Sequence, residues 1–142
     1  MKICILAVGK MRGADAALCA EYQKRLKGAI AIKEITAASV KTENELLLKS
    51  IPEKSFIVLL DERGKDLSSR ELADKFAAWQ GRDNLVFIIG GADGVIDQVK
   101  TRADFILGLG RKTWPHRLAR VMLLEQLYRA QQINAGHPYH RD

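Results

Sequence analysis

Apolar positions recur along the chain in two rhythms, and their alternation predicts the architecture. Short, nearly unbroken apolar runs occur at residues 2–8 (KICILAV), at Ser55–Leu60 (SFIVLL) and at Asn84–Ile89 (NLVFII). Such runs read as strands buried on both faces. Ile30–Ile35 alternates like a strand, and Asp104–Leu107 reads as a short one. Between them the period lengthens to that of a helix. Ala14–Lys27 carries a stripe of Ala17, Leu18, Tyr22 and Leu26. Thr42 is the expected N-cap of a helix, with Glu45 at capping-box spacing and Leu46, Leu47 and Ile51 following. Ser68 with Glu71 makes the same signal before a helix over Leu67–Trp79. A short helix is expected over Gly94–Thr101, and the longest over Trp114–Ile133. Strand and helix alternating in this way predict an α/β fold: a parallel sheet flanked by helices on both faces. No linker or internal repeat divides residues 1–142, which are expected to form a single domain.

The final helix is too apolar for one stripe. Leu118, Val121, Met122, Leu123, Leu124, Leu127 and Tyr128 cover more of its circumference than one core face needs. Either the helix is buried wholly within its own domain or a second copy of the chain covers it. The second reading is preferred, because a thin layer of helices on a small sheet rarely encloses one helix completely.

Composition adds little until its distribution is considered. The chain has 142 residues and a formal net charge of +6. Residues 1–30 hold six Lys or Arg against two acids, and residues 109–142 the same, whereas 31–108 hold eleven against thirteen. The excess positive charge therefore sits at both chain ends. A fold that brings those ends together makes a surface suited to phosphates; the plain alternative is a solvated basic face. Cys4 and Cys19 form no CxxC pair, and both read as small buried hydrophobes in a reducing compartment. No stretch has the length of a membrane span, and a cytoplasmic location is expected.

Candidate chemistry lies in the loops after the strands, where open α/β sheets bind ligands. One strand ends in Leu60-Asp61-Glu62-Arg63-Gly64, another in Gly90-Gly91-Ala92-Asp93-Gly94, and a third runs into Gly108-Leu109-Gly110-Arg111-Lys112-Thr113-Trp114-Pro115-His116. The glycines match neither the dinucleotide fingerprint nor a P-loop. Together they point to a nucleoside-like ligand held mostly by backbone. The terminus His137-Pro138-Tyr139-His140-Arg141-Asp142 concentrates polar chemistry where chains are usually dull. Pro138 spoils a helical pair of His ligands, and no metal is expected. Glu125 and Arg129 share a helix face and read either as a structural ion pair or as a polar pocket beside the tail.

LLDERG, IIGGADG, GRKTWPHRLARV, LLEQLYRA and the terminal HPYHRD, in this order, resemble the SPOUT-superfamily methyltransferases of the RlmH type. These modify N3 of a pseudouridine in large-subunit ribosomal RNA. The resemblance covers essentially the whole chain and is strongest in its final third. It implies a deep trefoil knot in the C-terminal part, a homodimer, and S-adenosylmethionine as methyl donor. Carried over by position, Leu60, Gly91, Gly110, Arg111, Lys112, Thr113, Trp114 and Pro115 line the cofactor pocket. Arg111 and Lys112 stand where the family often has small or apolar residues, so their side chains are expected to face RNA phosphates. Glu125, Arg129, Tyr139 and His140 are the expected catalytic group, with the tail of one subunit closing over the cofactor of the other. Imidazole exchanges protons near neutral pH, which makes His140 the preferred general base. His116 is expected to be structural, hydrogen-bonding the knotted region. The implied partners are ribosomal RNA, in the assembled ribosome, and a second copy of the chain. The competing functions are a non-catalytic RNA-binding module of the same fold and, last, a flavodoxin-like or NAD-binding enzyme; Gly9-Lys10-Met11-Arg12-Gly13 is a poor phosphate cradle for the latter.

Overall fold

The computed structural model describes residues 1–142. Ten elements alternate along the chain: β1 (Lys2–Val8), α1 (Gly13–Arg25), β2 (Ala29–Ile35), α2 (Val40–Ser50), β3 (Ser55–Asp66), α3 (Ser69–Trp79), β4 (Asn84–Ile89), α4 (Asp97–Arg102), β5 (Phe105–Gly108) and α5 (His116–Asn134). The five strands form one sheet in the order β2-β1-β4-β3-β5, and every pairing is parallel. The expected α/β class therefore holds.

Alternate residues of each central strand serve opposite faces, which is why those strands are apolar throughout. Ile3, Ile5 and Ala7 of β1, Val58 of β3, and Leu85, Phe87 and Ile89 of β4 face α1, α3 and α5. Leu6, Val8, Ile57, Leu59, Val86 and Ile88 face α2 and α4, through Leu47 and Val99. Trp79 packs against Phe56, Phe87 and Phe105 at ring distances of 5.4, 6.4 and 5.4 Å, closing the first core at the base of the sheet.

Several expected boundaries move. Ser39, not Thr42, caps α2: its hydroxyl accepts from the Thr42 backbone N–H at 3.1 Å, and Thr42 lies one turn inside. The Ser68–Glu71 capping box forms as expected. The stripe of α1 holds at Tyr22 and Leu26, which pack on the core, but not at its start. Cys19 and Leu26 are buried, whereas Ala17 and Leu18 point outward. The short helix starts at Asp97; Gly94 belongs to the preceding turn, with φ +73°. Helix α5 packs between α1 and α3, yet Leu118 stays 40% exposed, so the domain does not enclose it.

The C-terminal ends of β3 and β5 make the least regular part of the sheet. Strand β3 pairs with β5 up to Leu60↔Leu107, bulges over residues 61–64, and rejoins at Lys65↔Leu107 and Asp66↔Gly108. Gly64 and Gly108 bring their backbones into direct contact there.

Candidate active site

The loops after β4 and β5 converge with the bulged part of β3, at the end of the sheet where open α/β folds bind ligands. They enclose a cleft of about 810 Å³. Leu60–Arg63 form one wall, Ile89–Val95 the floor, and Leu109 with Lys112–His116 the other wall. Each loop is tied down. Thr113 donates a short hydrogen bond from its hydroxyl to Glu62. Trp114 donates Nε1–H to the Leu109 carbonyl at 2.8 Å, holding its half-exposed ring at the rim. On the floor, buried Asn44 accepts from the Ile96 N–H at 3.0 Å and donates to the Val40 carbonyl at 2.8 Å, so α2 anchors the 90–96 turn.

Of the expected cofactor residues, Leu60, Gly91, Lys112, Thr113, Trp114 and Pro115 line this cleft. Arg111 is exposed and lies outside its lining, and Gly110 lines a second groove of about 500 Å³ with Leu18, Val121, Met122 and Glu125. His116 also lines the cleft. The contact that defines it is packing against Gly9, where a Cβ would stand 3.0 Å from His116 Nε2, rather than the expected hydrogen bond. Asp61 and Glu62, from the loop singled out after Leu60, also line the cleft, whereas Asn44 of α2 was not foreseen. The available signal was an Asn on the same helix face as Leu47 in an otherwise apolar stripe.

The cleft's chemistry fits a small, nucleoside-bearing ligand. Its volume lies in the range for such sites. Leu60, Ile89, Val95, Leu107 and Leu109 supply apolar walls, and Asp61, Glu62 and Asp93 supply carboxylates. Arg63, Lys100 and Lys112 line it too and balance those acids, so the cleft suits a ligand that carries both charges, such as an amino-acid group, with an adenine ring against the apolar walls and the exposed backbone of the Gly90–Gly94 turn.

The expected catalytic group assembles elsewhere, along the far half of α5. Arg129 Nε donates to Glu125 at 2.6 Å, and Nη1 donates to His140 Nδ1 at 3.1 Å. A guanidinium can only donate, so Nδ1 must be the acceptor and the imidazole proton sits on Nε2. Nε2 in turn lies 2.9 Å from Asp142, whose other partner is Arg70 of α3, held bidentately. Arg70 and then His140 hold the Asp142 carboxyl down at about 2. The Arg129 guanidinium lies 4.8 Å over the Tyr139 ring, which packs edge-on against Tyr128 at 4.7 Å. Burial foremost, and then Glu125, push the Tyr139 phenol up, so it remains a donor at neutral pH. The hydrogen bond to Glu125 raises Arg129 further, which keeps it cationic. Thus Glu125, Arg129, Tyr139 and His140 are one cluster, with the tail folded onto its own helix. None of Arg129, Tyr139 and His140 lines the cleft.

Comparison with known proteins bears on this arrangement. The sequence profile described as "Predicted SPOUT methyltransferase" matches residues 1–140. The chain is 44% identical over 151 residues to ribosomal RNA large subunit methyltransferase H of Rhodospirillum centenum, covering 99% of both chains. It is also 44% identical over 156 residues to the protein of the same name from Paracoccus denitrificans, covering both completely. Among solved structures, a probable methylase family protein from Haemophilus influenzae Rd KW20 superposes with a TM-score of 0.61 at 10% identity, over 99% of this chain and 70% of that one, a likeness of fold alone. With its strand order, its cleft and these full-length matches, the chain belongs to the SPOUT methyltransferase family.

Proposed function

We propose that the chain methylates N3 of a pseudouridine in large-subunit (23S) ribosomal RNA, on the assembled ribosome. It uses S-adenosylmethionine and works as a homodimer, with residues 1–142 as one methyltransferase domain. The name of the full-length relatives supports the RNA substrate. The trefoil knot is proposed from membership of the family.

One observation carries the dimer and the trans arrangement. Ala119 of α5 lines the cleft, and Arg129 anchors the polar cluster ten residues later. Ten residues of helix span about 15 Å. A single copy therefore holds its cleft and its tail cluster apart, and a second copy packed on the exposed side of α5 brings the two together. Leu118 and Leu18, 40% and 45% exposed, are the apolar surface available for that contact.

Bound S-adenosylmethionine supplies a methyl group already activated on a sulfonium. Leu60, Gly91, Lys112, Thr113, Trp114 and Pro115 would hold it. The remaining work falls to the tail cluster: alignment, and removal of the N3 proton so that its electron pair can attack. Arg129, held by Glu125 through Nε, has Nη2 free, and Nη1 once it leaves His140, to meet a base carbonyl and stabilise the charge that develops as the proton leaves. Glu125 orients Arg129. Tyr139 offers a ring to stack on the base and a phenol to donate. His140 takes the proton once Arg129 turns to the substrate and frees Nδ1; until then its lone pair is occupied. Arg111, exposed beside the cleft, faces RNA.

Subunit mixing tests this. Ala92→Trp fills the cleft, and Arg129→Ala disables the cluster; each homodimer should be inactive on ribosomes with labelled methyl donor. Mixed one to one, half the dimers carry one intact composite site of two, so about a quarter of wild-type activity should return. No recovery, with heterodimers confirmed by mass, would overturn the trans site. No methylation by the wild type would overturn the enzymatic reading.

A further inference from the structure

Strand β1 leaves the sheet at Gly9, whose φ of +99° turns the chain sharply into Lys10-Met11-Arg12. Three bonds then hold this short loop. Gly9 N–H donates to the Ile35 carbonyl at 2.9 Å, and the Gly9 carbonyl accepts from Arg120 Nη2 at 3.0 Å. The Met11 N–H donates to Glu34 at 2.7 Å, and the same Glu34 oxygen pairs with Arg120 Nη1 at 2.6 Å. Arg120 is 3% exposed, and its Nε, also buried, has no partner. The Arg120 bond foremost, then the Met11 N–H, hold the Glu34 carboxyl below its ordinary range, so the pair is ionised at neutral pH.

A buried guanidinium with one nitrogen unsatisfied is a poor device for stability; apolar residues of similar size serve as well or better. What this pair achieves is position. It fixes a loop bearing two exposed cations, Lys10 and Arg12, against His116 at the cleft's rim. Arg117 follows His116, and Arg111 and Lys112 precede it, all exposed. Part of the positive charge of each chain end therefore gathers here. Of the acids nearby, Glu34 is paired with Arg120, and Glu62 accepts from Thr113.

We propose that residues 9–13 form a docking loop for the RNA phosphates flanking the nucleotide that enters the cleft, with Arg120 and Glu34 as its positioning residues. The proposal rests on the methyltransferase reading for its substrate, but the loop can be tested by binding alone.

Two readouts on wild type and variants decide it: salt-dependent binding to large ribosomal subunits, and methylation kinetics at saturating methyl donor. Lys10→Ala with Arg12→Ala should raise Kd and KM for ribosomes about tenfold or more, leave kcat within twofold, and lower the log–log salt slope by about two, one per lost phosphate contact. Arg120→Met with Glu34→Gln should melt at or above the wild-type temperature yet reproduce the rise in KM, an outcome that a purely structural role does not give. Arg120→Lys keeps the charge but not the fork, and should fall between. Unchanged binding and salt slope in the Lys10/Arg12 variant would overturn the docking loop. Wild-type KM in the folded Arg120/Glu34 variant would overturn the positioning role. If the wild type binds ribosomes without methylating them, the proposed function fails while the salt slopes still judge the loop.

Discussion

Replacing Gly64 by Ala isolates the tightest point of the fold. Its φ is not in the left-handed region, so the effect is steric rather than conformational. A Cβ there would stand 2.5 Å from the Leu107 carbonyl carbon, 2.6 Å from Gly108 N and 2.9 Å from the Ile106 carbonyl carbon. All three are backbone atoms, which cannot rotate aside. Ordinary contact begins near 3.4 Å, so β3 and β5 must part by about 0.9 Å. That movement disturbs the pairs Lys65↔Leu107 and Asp66↔Gly108. Overpacking of this kind costs about 1–3 kcal/mol, and each weakened ladder bond about 1 kcal/mol. A total near 3 kcal/mol is expected, which for a chain of this length lowers Tm by about 10 °C. Because Leu60–Arg63, Leu107 and Leu109 line the cleft, affinity for S-adenosylmethionine should fall at least tenfold with it. Urea unfolding at fixed protein concentration, with calorimetric titration of the ligand, measures both. Gly28→Ala is the control: φ is +95° but the space is open, so it should cost only about 1 kcal/mol. If Gly64→Ala lost no more stability than Gly28→Ala, and bound ligand normally, the close approach of β3 to β5 would not constrain the fold.

Three further outcomes follow from other parts of the molecule. Ser68→Ala removes the acceptor for the Glu71 N–H at 3.1 Å and should cost about 1 kcal/mol by urea midpoint, with m unchanged; no change would mean that Glu71 alone caps α3. The Asp142 carboxyl, held at about 2 chiefly by Arg70, has a depressed folded value, so the tail anchor is complete above about pH 4 and is lost as pH falls through about 2. Carbon NMR of that carboxyl should show this midpoint, and Arg70→Ala should move it toward 3.8; an unmoved midpoint would refute Arg70 as the cause. Leu118→Glu places a charge on the exposed apolar side of α5 and should give a monomer by light scattering, inactive on ribosomes yet still binding S-adenosylmethionine; an active dimer would place the subunit contact elsewhere.

The class of fold was legible because its signals are local. NLVFII reads as a strand buried on two sides, and helices do cover both of its faces. Ser68 with Glu71 reads as a cap because every atom involved lies within four residues. The signal at α2 was ambiguous: Ser39 and Thr42 are both capping residues one turn apart, and the helix starts at the earlier one. Only the start of the α1 stripe was misphased, because Leu18 and Cys19 are both apolar and the neighbouring α5 decides which of them turns inward. The tail and Glu125–Arg129 were singled out by residue type, but their assembly into one cluster on α5, with His140 holding its proton on Nε2, was not readable from spacing.

Sequence by itself thus determined which segments are strands and helices, which glycine-rich segments follow the strands, and that both chain ends are basic. Tertiary structure alone decided the order β2-β1-β4-β3-β5, the contact of Gly64 with Gly108, the pairing of Arg120 with Glu34 across 86 residues, and the separation of cleft from tail along α5. The reason is one of range. Periodicity and capping are set by neighbours a turn apart, whereas strand order, close backbone crossings and buried ion pairs arise only when distant segments compete for the same space.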